Sequence, residues 1–358
     1  MNLIQHSKPT VIEKGKILEL VKELLDTGRF AQGKYVSLFE QELSKFFGVK
    51  YAVCVSSGTS ALHLALLSLN VDNNSEVIIP SFSCVAILNA VLMTGAKPVI
   101  VDVNLEDFNL SYEEVKKKIS SKTKAIILPH MFGYPAKDTQ KIVELGIPVI
   151  EDTAQSIGAK ICGRKVGSFG KINVMSFYAT KMITTFGEGG VVLTNDKNIY
   201  EFTVDIKEYD KKDEFKLRYN YKMSEIQAIM GLLQLRMLPV FIYHRKRIFY
   251  HYKNKLKNCN NIIITFPGEN IHPVFYRFII KLKEVKEDLN SYIRKYNQLG
   301  IEVARPVSIP LDKYYIGEFI CENSKLLYST TLSLPIYPRL KNKEINYIIE
   351  TTKKLVGS

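Results

Sequence analysis

The 358-residue sequence predicts an α/β protein with a large domain over 1–235, built on a mostly parallel seven-stranded sheet, and a smaller α+β domain over 236–358. Three observations carry this. Seven short, apolar, β-rich runs at 52–55, 76–79, 98–101, 125–128, 148–150, 173–177 and 191–194 alternate with helical patterns. Strand–helix alternation of this kind places helices on both faces of a parallel sheet. After about residue 235 the alternation stops and a different texture begins.

The elements follow in order. Ile17, Leu18, Leu20, Val21, Leu24 and Leu25 share one helical face, and a second amphipathic run over 36–47 ends at Gly48. Between the strands, 60–68, 85–93 and 111–119 read as helices. Ser111 followed by Glu114 predicts a capping box. The last third reads as a long basic helix over 239–256, strands over 261–266 and 275–282, and helices over 287–299 and 343–355.

Composition narrows the function classes. Hydrophobic residues make up 46% and charged residues 24%, which excludes wholesale disorder. Residues 1–10 lack the apolar core of a secretory signal. The most apolar stretch, 85–101, is interrupted by Asn89, Gly95, Lys97 and Pro98, which predicts no membrane span there. Five widely spaced cysteines (Cys54, Cys84, Cys162, Cys259, Cys321) form neither a disulfide framework nor a zinc site, and a reducing cytoplasm is expected. No His/Cys/Asp/Glu cluster has metal-ligand spacing, so no metal is expected.

The net charge of +13 first points to an anionic partner. It is uneven: residues 1–240 hold 29 basic and 26 acidic side chains, residues 241–358 hold 20 and 10. The run His244-Arg245-Lys246-Arg247 with Tyr250 and Tyr252 can be read as a nucleic-acid surface. It can also be read as a helix with a solvated basic face and an apolar face of Phe241, Ile242, Ile248 and Phe249, and no nucleic-acid motif accompanies it. The second reading is favoured.

In an open parallel sheet, ligands sit at the carboxyl ends of the strands. After 52–55 comes Ser56-Ser57-Gly58-Thr59-Ser60, opening a helix. Small hydroxylated residues and a glycine at a helix N-terminus make a phosphate cradle. No Walker lysine follows. After 148–150 comes Glu151-Asp152-Thr153-Ala154-Gln155, and after 173–177 come Tyr178-Ala179-Thr180-Lys181 and a glycine-rich turn, 184–190. Each feature alone has a plain reading: a serine-rich turn, a capping acid, a solvated lysine. Together, in this order, they are the parts pyridoxal phosphate requires: a phosphate cradle, an amine for the aldehyde, and an anion that keeps the ring nitrogen protonated. His130, at the end of 125–128, can contact a ligand or be a satisfied buried histidine; His63 reads as packing.

The segments 57–62, 151–155, 176–181, 188–190 and 220–228 resemble the DegT/StrS family of nucleotide-sugar aminotransferases, over about residues 27–350 and most strongly up to 248. The resemblance implies an aspartate-aminotransferase-like fold of type I and a homodimer with shared active sites. Carried over by position, Lys181 would bind the cofactor and shuttle the proton. Asp152 would pair with the pyridine nitrogen, and Gln155 would lie by the phenolic oxygen. Thr59, the Ser60 N–H and the Ser176 hydroxyl would hold the phosphate, and Asn220 would reach the phosphate of the neighbouring subunit's cofactor. Cys84 stands where an aromatic often covers the ring, and Lys222 replaces a commoner arginine. The implied reaction moves an amino group, from L-glutamate through pyridoxamine phosphate, to a 4-keto or 3-keto deoxysugar on a nucleoside diphosphate. Surface-glycan or other amino-sugar synthesis is the expected setting. A keto-cyclitol or other non-nucleotide ketone is an alternative acceptor. Dehydratase relatives carry histidine where this chain has Lys181.

Overall fold

The structure is a computed structural model that describes residues 3–210, 212–266, 268–315, 317 and 319–357. Two helices open the chain, α1 (Lys14–Thr27) and α2 (Lys34–Phe47). Only part of the predicted α1 face is covered: Ile17 and Leu24 are buried, while Leu18 and Leu25 are exposed. α2 sits deep, with Phe39 and Leu43 fully buried. Its first amides are capped from far along the chain. The Glu225 carboxylate accepts from the N–H groups of Gly33, Tyr35 and Val36 at 2.8, 2.7 and 3.1 Å, an anion at the positive end of the helix dipole.

The chain continues through β1 (Tyr51–Val55), α3 (Gly58–Ser68), β2 (Glu76–Pro80), α4 (Val85–Met93), β3 (Lys97–Val101), α5 (Tyr112–Lys118), β4 (Thr123–Pro129), α6 (Thr139–Val143) and β5 (Val149–Asp152). A small hairpin of β6 (Lys160–Ile161) and β7 (Arg164–Lys165) precedes β8 (Ile172–Ser176), β9 (Gly190–Thr194) and α7 (Lys197–Ile206). The seven-stranded sheet has the order β1-β9-β8-β5-β4-β2-β3. β9 runs antiparallel to both neighbours and the remaining pairings are parallel. Each of the seven predicted apolar runs is a strand of this sheet, and six of them end on one edge. The Ser111–Glu114 capping box does not form. Glu114 pairs with Lys117 at 2.7 Å, and the α5 N-terminus is served instead by Asp138, which accepts from Tyr112 N–H at 3.3 Å.

The long basic helix, α8 (Glu225–Leu256), begins fourteen residues before the predicted start at 239. Pro239 lies inside it, and the start is set by a box in which Gln227 Oε1 accepts from the Ser224 N–H at 2.9 Å. The helix runs through residue 235 without interruption. Its inward face carries Phe241, Ile248, Phe249 and also Arg245, whose Nη1 donates to the carbonyls of Tyr276 and Ile336 at 3.0 and 2.9 Å. Arg245 is therefore not part of a solvated basic face. Tyr252 is buried too, donating to the Pro335 carbonyl at 2.9 Å.

Beyond α8 come β10 (Ile262–Ile264), β11 (Ile271–His272), β12 (Phe278–Leu282), α9 (Leu289–Gln298), α10 (Glu322–Thr330), β13 (Thr331–Leu334) and α11 (Asn342–Val356). β10, β12 and β13 form an antiparallel sheet over a second core that includes Phe278, Tyr296, Leu332 and Ile348. The two predicted strands are shorter than expected, and α10 and β13 carry no clear sequence pattern of their own. The N-terminal segment joins this part: Ile4 N–H donates to the Gly300 carbonyl and Glu302 N–H to the Ile4 carbonyl, both at 2.9 Å.

Candidate active site

The turn after β1 is shaped by its serines. Ser57 caps α3, its Oγ accepting from the Ser60 N–H at 3.0 Å, and the Ser57 and Ser60 hydroxyls lie 2.8 Å apart. The Ser60 amide is thus engaged by the cap, and the amides of Gly58 and Thr59 are the first-turn donors that helix geometry leaves open. Two glycines let the turn approach the sheet. A Cβ at position 58 would lie 2.6 Å from Ser176 Cβ, and one at position 190 would lie 2.2 Å from the Ser57 carbonyl oxygen. Gly190 is therefore required by close approach.

Asp152 ends β5, between Pro129 of β4 and Val174 of β8. Its Oδ1 accepts from Ala154 N–H at 2.9 Å. Burial raises its carboxyl above the usual range, while that bond, Lys181 and His130 pull the other way. Gln155 accepts from the Phe132 N–H at 2.7 Å.

Strand alternation sends Glu151 to the opposite side. There its fully buried carboxylate accepts from Gly167, Phe169 and Gly170 N–H, each at 2.6 Å, and bonds His130 Nε2 at 3.0 Å. His130 Nδ1 accepts from Ala136 N–H at 3.0 Å, so the network assigns the proton to Nε2. Both ring nitrogens are satisfied, as a buried histidine requires, and the residue also lines the cavity described below.

Lys181 lies in the loop between β8 and β9. Phe177 N–H donates to the Gly189 carbonyl at 2.8 Å and Ala179 N–H to that of Gly187 at 2.9 Å, closing the loop at its base. Phe177, Met182 and Ile183 are buried beneath it and fix the backbone of the half-buried lysine. Its amine lies 5.7 Å from the Tyr276 ring centroid.

These groups meet in one cavity of about 300 Å³ at the carboxyl edge of the sheet. Of the residues predicted to touch the cofactor, Thr59, Cys84, Asp152, Gln155, Ser176 and Lys181 line it. Ser60 sits behind the turn. Asn220 is exposed outside the cavity, although its neighbour Tyr221 accepts from Ser56 N–H at 2.7 Å. Lys222 is held within its own chain by Glu208 and Asp210, each at 3.5 Å. Tyr178 and Glu188 also face the cavity. Both stand in segments that carried the family resemblance. Tyr276 has no such signal, since it reaches Lys181 from 95 residues away.

The donor set fits pyridoxal 5'-phosphate: a turn so close to β8 that a Cβ would close it, first-turn amides and hydroxyls for a phosphate, an amine, and an acid, all on one cavity. Fold and cavity together define an aminotransferase of fold type I that depends on this cofactor. The chain belongs to the DegT/DnrJ/EryC1/StrS aminotransferase family, whose profile matches residues 11–353. It is similar to the GDP-perosamine synthase of Escherichia coli O157:H7, with 35% identity covering 94% of each chain. It is also similar to the dTDP-4-amino-4,6-dideoxy-D-glucose transaminase of Shigella dysenteriae, with 31% identity covering 88% of this chain and 89% of that one. The solved structure of NtdA from Bacillus subtilis with bound pyridoxamine phosphate superposes with a TM-score of 0.87 at 26% identity, covering 98% of this chain and 83% of that one. The protein is a sugar aminotransferase.

Proposed function

We propose that the protein transfers an amino group from L-glutamate to a keto-deoxysugar carried on a nucleoside diphosphate, at carbon 4 in preference to carbon 3. The observation that carries this reading is the convergence of Lys181, Asp152 and the Ser57–Ser60 turn in one strand-end cavity. Relatives are named for both positions, a 31%-identical 4-amino-sugar transaminase and a 30%-identical 3-amino-sugar transaminase, and carbon 4 is the position we test first. When bound, pyridoxal phosphate supplies an electron sink for the carbon that gains or loses nitrogen. The chain's residues do the rest. The Gly58 and Thr59 amides with the Thr59 and Ser176 hydroxyls bind the phosphate. Asp152 would keep a proton on the ring nitrogen, Gln155 would lie by the phenolic oxygen, and Lys181 Nζ would take and return the reacting proton. Cys84, which lines the cavity, would give the ring at most a sulfur or van der Waals contact. The setting is amino-sugar synthesis in the cytoplasm, consistent with five free cysteines.

The working unit is a homodimer in which Asn220 completes the partner's phosphate site; its exposure outside its own cavity supports this. Mixing Lys181→Ala protein with Asn220→Ala protein should restore up to about a quarter of wild-type activity, because a mixed dimer of twofold symmetry contains one intact site. No recovery on mixing would remove the shared-site reading. The substrate reading is tested by supplying GDP-, dTDP- and UDP-linked keto-deoxysugars with L-glutamate. Formation of 2-oxoglutarate and a product with nitrogen at carbon 4 by NMR is expected. Turnover with a keto-cyclitol but none of the nucleotide sugars would overturn it.

A further inference from the structure

Behind Lys181 lies a group that the reading above leaves without a role. The Tyr276 ring, 4% exposed, is shared by three cations. Lys181 Nζ is 5.7 Å from its centroid, Arg277 Cζ 4.7 Å and Arg245 Cζ 5.8 Å. Arg277 Nη2 also donates to the Tyr276 hydroxyl at 3.4 Å. Among the described residues none of the three is ion-paired with a carboxylate. Arg245 spends two N–H groups on carbonyls, and its Nε has no partner among the described residues. Arg277 Nη1 meets the His6 imidazole at 3.0 Å, and burial together with Arg277 itself holds that ring in its neutral form. Arg245 is buried and Lys181 and Arg277 are half-buried, and positive charge crowded in this way is costly unless an anion is within reach. Asp152 lies on the cavity side of Lys181; on the other side the ring that all three cations face is the Tyr276 phenol, which can become an anion, while the Glu302 carboxylate further out accepts from the His6 N–H at 2.9 Å.

We propose that Tyr276 is a positioning residue for Lys181: its ring and hydroxyl, clamped by Arg277 and Arg245, hold the lysine side chain toward the cavity and set the charge of its amine. The phenol's own balance agrees. Burial pushes its ionisation up, but Arg277, Lys181, the neighbouring Thr180 hydroxyl and Arg245 bring it down to about 8. Below that pH the phenol is neutral, and its ring and hydroxyl act on Lys181 by position alone. Above it a phenolate stands beside the amine, and an anion there favours the amine's charged form. The same phenolate is what the two guanidinium groups stabilise.

The inference rests on Lys181 as the cofactor lysine, and its test separates the two. Tyr276→Phe keeps the ring and removes only the hydroxyl. In protein stripped of cofactor, the ultraviolet tyrosinate signal should show one tyrosine ionising with a midpoint of about 8 in the wild type, and this step should vanish in Tyr276→Phe. In the loaded enzyme the variant should lose about tenfold in kcat with KM within about twofold, and its kcat should no longer fall on the alkaline side of that pH. Tyr276→Leu, which removes the ring as well, should lose more than Tyr276→Phe. Superimposable tyrosinate titrations, or unchanged kcat and pH profile in Tyr276→Phe, would overturn the proposal. A wild-type protein that carries its cofactor on another lysine would instead overturn the Lys181 reading.

Discussion

The strand-end edge and the junction behind it are built in opposite ways. At the edge, each group follows its strand within a few residues: Ser57–Thr59 after β1, Asp152 at the end of β5, Ser176 and then Lys181 after β8. The sheet alone brings them together. Behind Lys181, the neighbours come from α8, from the segment entering β12, and from the N-terminal tail. Arg245, Tyr276, Arg277 and His6 meet only because a second core folds against the first. The edge is local chemistry on a parallel sheet, and the junction is tertiary packing around buried charge. Changes at the edge should therefore act mainly on turnover, and changes at the junction mainly on charge balance and docking.

The largest effect should come at the edge. Asp152→Asn keeps the shape and the Ala154 bond but removes the anion that holds the ring nitrogen protonated. Its kcat should fall by about 100-fold or more, with cofactor binding largely kept by the cradle. Loss of cofactor with little loss of turnover per bound cofactor would show that Asp152 serves retention and not chemistry.

One residue further back, the scale changes from rate to stability. Glu151→Gln puts an amide where a carboxylate serves three N–H groups and His130. A cost of about 3 kcal/mol, read as a lowered midpoint in chemical denaturation, is expected for a buried charged acceptor lost from such a set. A variant as stable as the wild type would mean that the 167–170 loop is not anchored through this side chain.

The smallest effect belongs to the tail. Burial and Arg277 depress His6, so its neutral form is stabilised by folding. That contribution is present above the ordinary histidine range near pH 6.5 and is lost as pH falls below it toward the depressed value. His6→Asn should flatten the fall in melting temperature between about pH 7 and 5, an effect of roughly 1 kcal/mol. An unchanged slope would locate the acid sensitivity elsewhere.

The same contrast explains what could be read from the amino-acid sequence. The seven apolar runs were legible because buried parallel strands are nearly continuous in hydrophobicity and are separated by helices of a different period. The site was legible because its groups stand at strand ends, in order. Glu151 was within reach too, since strand period alone sends it to the face opposite Asp152. The Ser60 amide was not, because whether a capping serine or a ligand takes it is decided by a hydroxyl rotamer. The start of α8 was obscured by Pro239, which reads as a beginning but sits mid-helix. Arg245 looked solvated in a basic run, and only the packing of α8 against the second core turns it inward. Tyr276 and His6 carry no pattern at all, because their partners lie 95 and 271 residues away, at Lys181 and Arg277 respectively.

The central claim is that this strand-end cavity holds pyridoxal phosphate on Lys181. Reducing the loaded protein with borohydride and mapping the peptides by mass spectrometry tests it most directly. The account predicts a pyridoxyl phosphate mass on the peptide containing Lys181, and none in Lys181→Ala protein treated alike. A label on a different lysine, or on none, would contradict it.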